Sequence, residues 1–296
     1  MTTEYRHHGR AATKLHPMSS IPIHRTPHVV HSSPRPAIPS EPSTLTLEEI
    51  LAPLHEAAGN SSSLIASRHP VDLQGTPAEI SKFLLLGQRG GGKPIRLGLF
   101  AGFEAGNLET VQALSRLLLQ LKASPGLSRD FALIAYPVVN VRGFTAEAAP
   151  LADFEARFAR DSVGADVQFF KTELNKWRFD GLLSFRTDAA SRGVYAAVRS
   201  EIIAAEVVEP ALAAASVALP LATQAVKVRP GDRYARTADY AHGRLSPPAD
   251  VRPYPFEIEL FIPREPLTEE RVDGLFVALT EILRLYRAFI AHGQNL

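Results

Sequence analysis

Ile95-Arg-Leu-Gly-Leu-Phe-Ala-Gly-Phe103, followed by Leu108, Val111, Leu114, Leu117, Leu118 and Leu121 at three-to-four spacing, reads as an apolar strand that feeds a helix with one buried face. Upstream, Phe83–Gly87 is a second apolar run, joined to the first by Gln88-Arg-Gly-Gly-Gly-Lys-Pro94; the glycines predict a turn, and the two runs a hairpin. Downstream the alternation continues. A strand is expected over Phe131–Val139, a short helix near Thr172–Arg178 and a strand over Asp180–Arg186. Helical segments are expected through 194–219 with a break at Pro210, then a late strand, Phe256–Ile262. A terminal helix over Thr268–His292 carries Val272, Leu275, Leu279, Leu283 and Tyr286 on one side. Strands alternating with helices predict an α/β fold: a mixed, mostly parallel central sheet with helices on both faces.

The chain has 296 residues, 45% of them hydrophobic and 21% charged, enough to bury a core. Residues 1–43 hold seven of the 23 prolines, five basic residues and two acidic ones, with no sustained apolar period, so a flexible tail is expected there and a single domain over 44–296. Met1 and Met18 are the two methionines, so translation from Met18 is an open alternative. A formal net charge of +1 gives no field for gripping nucleic acid or a membrane surface, and neither is an expected partner. The most apolar stretch, Val207–Ala222, is interrupted by Glu209, Pro210 and Pro220 and is too short to span a bilayer. The tail has no apolar run of signal-peptide type, and a cytoplasmic protein is expected. With no cysteine, thiolate metal sites, disulfides and cysteine nucleophiles are excluded. A transition metal would need histidine and carboxylate, yet six of the ten histidines (His7, His8, His16, His24, His28, His31) precede residue 44. The others, His55, His69, His242 and His292, are scattered singly.

Gly87-Gln-Arg-Gly-Gly-Gly-Lys93 has the spacing of a phosphate-binding loop, but Pro94 stands where a Ser or Thr would hold magnesium, and a strand follows where a helix should. Nucleotide binding is not expected. In open α/β sheets, ligands sit where loops leave the carboxyl ends of the strands. That rule selects Ala101-Gly-Phe-Glu104-Ala-Gly-Asn107, Ser184-Phe-Arg186-Thr-Asp188 and Glu257-Ile-Glu259-Leu-Phe261-Ile-Pro263. Ser184 has no partner histidine nearby and no Gly-x-Ser-x-Gly elbow, and reads as structural. Trp177, Phe169 and Phe170 read as core or pocket-wall aromatics.

Four frames give the chain a resemblance over most of residues 80–292: Leu97-Gly-Leu-Phe-Ala-Gly-Phe, Pro137-Val-Val-Asn140-Val-Arg-Gly143-Phe, Phe179-Asp-Gly-Leu-Leu-Ser184-Phe and Pro255-Phe-Glu-Ile-Glu-Leu-Phe-Ile-Pro263. As a set they resemble the zinc metallocarboxypeptidases of the carboxypeptidase A type, including their bacterial cytosolic branch. The resemblance implies a first loop with His-x-x-Glu, a central strand ending in a second His, and a general-base Glu on the late strand. Here Glu104 and Asn107 hold the first two positions, Arg186 the third, and Phe261 the fourth. Gly164-Ala-Asp166-Val-Gln168-Phe169 is similar to the family's Asp-Leu-Asn-Arg segment, which grips a substrate carboxylate, with Phe169 in place of the Arg. Asn140 and Gly143 match the Asn-Pro-x-Gly turn. Tyr234, Tyr240 and Tyr254 precede the late strand, where the family keeps a substrate-contacting Tyr.

The frames are kept and the chemistry is lost, so no metal and no catalytic residue are expected. A guanidinium cannot ligate a cation. Unit charges 4 Å apart repel by about 4 kcal/mol at an effective dielectric of about 20, and a divalent ion doubles that. Glu104 and Arg186 are instead expected to face each other as a salt bridge. Glu259 is a displaced carboxylate about 6.6 Å along the strand from position 261, too far to act as the base there. An oxygen site for magnesium built from Glu104, Asn107 and Asp188 is opposed by the same Arg186. The reading is a dismantled zinc site whose pocket, bordered by Glu104, Asn107, Asn140, Arg186, Asp188 and Glu259, holds a small carboxylate or amino-acid-like ligand or serves a protein partner. The alternative, from the resemblance alone, is an active zinc-dependent carboxypeptidase or related amide hydrolase.

Overall fold

A computed structural model of the chain describes residues 45–145, 154–159, 164–228, 256–265 and 268–293. The expectations for residues 1–43, for His242 and for Tyr234, Tyr240 and Tyr254 lie outside them.

An eight-stranded sheet carries the fold, in the order β1-β2-β4-β3-β5-β8-β6-β7. The strands are β1 (Leu64–Asp72), β2 (Pro77–Leu86), β3 (Ile95–Phe100), β4 (Phe131–Tyr136), β5 (Gly181–Asp188), β6 (Val194–Val198), β7 (Leu221–Val228) and β8 (Phe256–Pro263). The centre, β4-β3-β5-β8, is parallel throughout, whereas β2 joins β4, β1 joins β2 and β6 joins β8 in antiparallel fashion. All six residues of β4 are buried, as parallel strands covered on both faces must be. The expected mixed, mostly parallel sheet with helices on both faces is what the chain forms.

One helical layer contains α1 (Leu47–Gly59), α2 (Glu109–Ala123) and α7 (Glu269–Gly293). Of the eleven apolar residues that marked α2 and α7 in sequence, ten are buried, and Leu108, just before the first turn of α2, is half-buried. α1 begins at a reciprocal cap: the Glu49 backbone N–H donates to Thr46 Oγ1 at 3.3 Å, and the Thr46 N–H to Glu49 Oε2 at 2.7 Å. On the opposite face lie the short α3 (Phe154–Ala159) and α4 (Ala165–Trp177). Consecutive strand residues show the division: Ser81 meets His55 of α1, and Lys82 meets Glu173 of α4.

The hairpin expected between Phe83–Gly87 and Ile95–Phe103 does not form. β4 lies between β2 and β3 and bonds to both, antiparallel to one and parallel to the other. The glycine segment instead carries the chain past the start of β4, where the Gly87 N–H donates to Phe131 O at 2.9 Å and the Ile95 N–H to Asp130 O at 2.8 Å. The helical reading of 194–219 also needs correction. Val194–Val198 is β6, buried along its whole length and so lacking a period that sequence could show. Helix begins at α5 (Glu201–Ile203) under a Ser200 cap and runs through a π turn (Ala204–Val208) into α6 (Glu209–Ala215). Pro210 does not break it: the proline stands in the first turn of α6, directly after the π turn, and the helix continues through it. α4 starts seven residues before the expected Thr172. Among the described residues, no helix is long and apolar enough to cross a membrane.

Candidate functional site

The loop after β3 is shaped by two glycines. Gly102 has φ +63°, and a Cβ there would lie 2.8 Å from Pro137 O; Gly143 lets its turn approach to where a Cβ would lie 2.9 Å from Ala105 Cα. Asn140, buried, fastens the same loop from behind: its Nδ2 donates to Phe103 O at 3.1 Å and its Oδ1 accepts from Arg157 at 3.2 Å. Arg157 in turn pairs with the buried Asp166 at 2.8 Å. Asn140 therefore supports the loop and is tied into an ion pair behind it.

With the loop so held, Glu104 projects toward β5. Arg186 Nε donates to Glu104 Oε1 at 2.8 Å, and the guanidinium lies 4.5 Å from the Phe103 ring centre. The side chains keep 14% and 28% of their accessible surface, enough burial for a hydrogen-bonded pair to contribute about 1–2 kcal/mol. The expected salt bridge is thus formed, and Glu104 Oε2 is buried without a hydrogen-bond donor. Asn107 is buried with both ends of its amide used: Nδ2 donates to Thr187 Oγ1 at 2.9 Å, and Oδ1 accepts the Glu109 N–H at 3.2 Å at the start of α2.

Phe261 is the cross-strand partner of both Arg186 and Tyr195, and its ring stacks on Tyr195 at 4.7 Å and 9°. Lys227 Nζ sits 3.6 Å from the Tyr195 ring centre. The Tyr195 hydroxyl donates to Asp188 at 2.9 Å, and the Ala190 N–H to the other Asp188 oxygen at 2.9 Å. Those two donors, Ala190 first, and the Lys227 charge hold the Asp188 carboxyl below its ordinary range. Glu259, half-buried, lies on the same strand face as Phe261, with Ser184 and Ala197 as its cross-strand neighbours. The stack on Tyr195 was not foreseen, because Tyr195 fell in a segment read as helix.

A second polar centre was missed. Glu173 Oε2 accepts from Tyr136 Oη at 2.6 Å, Trp177 Nε1 at 2.9 Å and Lys82 Nζ at 3.0 Å, on the α4 side of the sheet. Burial pushes Glu173 up, but the hydrogen bonds from Tyr136, Lys82 and Trp177 outweigh it and hold the carboxyl below its usual range. Burial and Glu173 push the Tyr136 hydroxyl far up. The lone Lys82 inside an apolar strand was the available signal. Gln168 is exposed, and Phe169 packs on His69 at 5.0 Å and Tyr136 at 6.2 Å.

No protein-family model matches the sequence, and no curated protein matches it significantly. Solved structures do match. A metallo-carboxypeptidase from Burkholderia cenocepacia superposes with a TM-score of 0.58 at 16% identity, over 82% of this chain and 69% of that one. A metallo-carboxypeptidase from Pseudomonas aeruginosa, solved with (2-guanidinoethylmercapto)succinic acid, gives 0.52 at 15% identity over 80% and 68%. Thrombin activatable fibrinolysis inhibitor gives 0.51 at 12% identity over 81% and 73%. The chain has the metallocarboxypeptidase fold.

Within that fold, zinc would need two imidazole nitrogens and a carboxylate at the ends of β3 and β5. Glu104, Asn107 and Arg186 do not fit it: one is engaged by a cation, one has both amide ends committed, and one is itself a cation that cannot ligate. Among the described residues, no three His, Asp or Glu side chains converge on a common metal position.

Proposed function

We propose that this metallocarboxypeptidase-fold protein is a pseudoenzyme, in which an ion pair has replaced the zinc and the groups at the strand ends bind a small carboxylate or amino-acid-like ligand or a protein partner. The observation that carries the reading is the 2.8 Å contact between Arg186 Nε and Glu104 Oε1. It puts a permanent cation where the fold's metal chemistry needs a neutral donor, and it gives each charge a partner. Phe261 supports the same reading from β8, since its ring is stacked on Tyr195 where the resemblance implies a general base. Arg186 is suited to a carboxylate by its chemistry, since a planar guanidinium presents forked N–H donors that match the two carboxylate oxygens. The cytoplasmic location expected from the sequence belongs to this proposal.

Ligand-induced stabilisation tests the binding half of the reading. Small carboxylates such as succinate and acetyl-amino acids are expected to raise the melting temperature of the wild type and not that of Arg186→Ala. Equal stabilisation of both proteins would remove Arg186 from the role. Zinc held stoichiometrically by the body of the chain would return the reading to an active hydrolase.

A further inference from the structure

We propose that the cleft between α1 and the β1–β2 edge is a second binding site, for a small zwitterion of the α-amino-acid class with an aliphatic side chain. The cleft has a volume of about 470 Å³, within the range of small-molecule sites, and lies on the helical face away from the Glu173 centre. Leu47 and Leu51, one turn apart on α1, and Ala52 form its apolar wall.

The polar wall comes from the strands. Arg68 is the cross-strand partner of Ser81, and Glu79 lies two residues from Ser81 on the same face. Arg68 and Glu79 approach only to 3.6 Å, beyond a good hydrogen bond, and their side chains stay 58% and 55% accessible. An α-amino acid carries its carboxylate and ammonium on neighbouring atoms. Laid along this loose pair, it gives the carboxylate to Arg68 and the ammonium to Glu79, exchanging one long contact for two charge-assisted hydrogen bonds. The charges offer a partner to each end of such a molecule. A bare anion meets Glu79 and the rim residue Glu48, and a bare cation meets Arg68. Burial, and then the Arg68 charge, hold His55 below its ordinary range, which favours its neutral form. Its ring is fixed against Phe83 at 4.9 Å, with Nε2 3.4 Å from Ser81 Oγ, which makes the floor of the cleft a preset polar surface.

Calorimetric titration of the full chain with L-leucine, leucinamide and N-acetyl-leucine tests the site. Saturable binding of L-leucine is expected, weakened at least about tenfold when the carboxylate is lost in leucinamide or the ammonium in N-acetyl-leucine. Arg68→Ala and Glu79→Ala, at exposed positions whose pair contributes little to folding, are each expected to cause the same loss. Ala52→Trp, exposed on α1, fills the cleft and is expected to abolish binding. Failure of L-leucine to saturate, or binding that survives both Arg68→Ala and Glu79→Ala, would overturn the proposal.

Discussion

Arg186 Nε and Glu104 Oε1 stand 2.8 Å apart across the ends of β5 and β3, over the ring of Phe103. The two residues lie 82 positions apart in the chain, so the contact ties a loop to a central strand. Because the pair is only partly buried, Arg186→Met and Glu104→Gln are each expected to cost about 1–2 kcal/mol. The double variant is expected to cost less than the sum, by a coupling energy near 1 kcal/mol. Urea unfolding of the four proteins gives that number, and a coupling of zero would mean the contact holds nothing.

The Glu173 centre is expected to dominate the acid side of the stability curve. Its carboxyl is held below the unfolded value, so the ionised form contributes stability that is complete above about pH 5 and is lost as pH falls through the lowered folded value. The stability gap between wild type and Glu173→Gln should therefore shrink on acidification from pH 7 toward pH 3. Lys82→Met, which leaves a 7% exposed carboxylate with the longer, 3.7 Å contact to Lys176 in place of its closer cation, is expected to cost about 2–3 kcal/mol at pH 7. A gap that widens with acid would contradict the assignment.

Asn107 serves the fold in this chain, with its amide joining Thr187 to the first turn of α2. Asn107→Ala is expected to lower stability by about 1–2 kcal/mol, since it removes two hydrogen bonds of a buried amide to half-buried partners. Asn107→Asp keeps the acceptor for Glu109 and loses the donor for Thr187, so it should be destabilised at neutral pH and partly recover in acid. Denaturation at pH 7 and pH 4 separates the two variants.

Gly102 is the backbone device that aims Glu104. At φ +63°, with Pro137 O 2.8 Å from where a Cβ would be, Gly102→Ala is strained and clashes as well. A loss of about 2 kcal/mol or more is expected. An unchanged melting temperature would show that the loop can form without this conformation.

How much of this was legible in the sequence follows from what each segment buries. α2 and α7 bury one face each, so their spacing revealed them. β6 buries both faces and α1 carries Pro53 in its middle, so neither offered a clean period. Gly87–Pro94 looks like a hairpin turn locally; that β4 occupies the slot between β2 and β3 is a long-range fact about Phe131–Tyr136. Glu104 and Arg186 were readable as partners because the frames around them fixed both places in one fold. Glu173 and Lys82, 91 residues apart, had no such frame, and neither did Tyr195 beneath Phe261.

Zinc content bears most directly on the proposal that the Glu104–Arg186 pair stands in place of a metal. Six histidines precede residue 44, so the protein to measure is the full chain with those six changed to glutamine, grown with added zinc and purified without chelator. Elemental analysis is expected to find zinc far below one ion per chain, with a melting temperature that a chelator does not change. A stoichiometric ion, removed by chelator with a fall in melting temperature, would contradict the account.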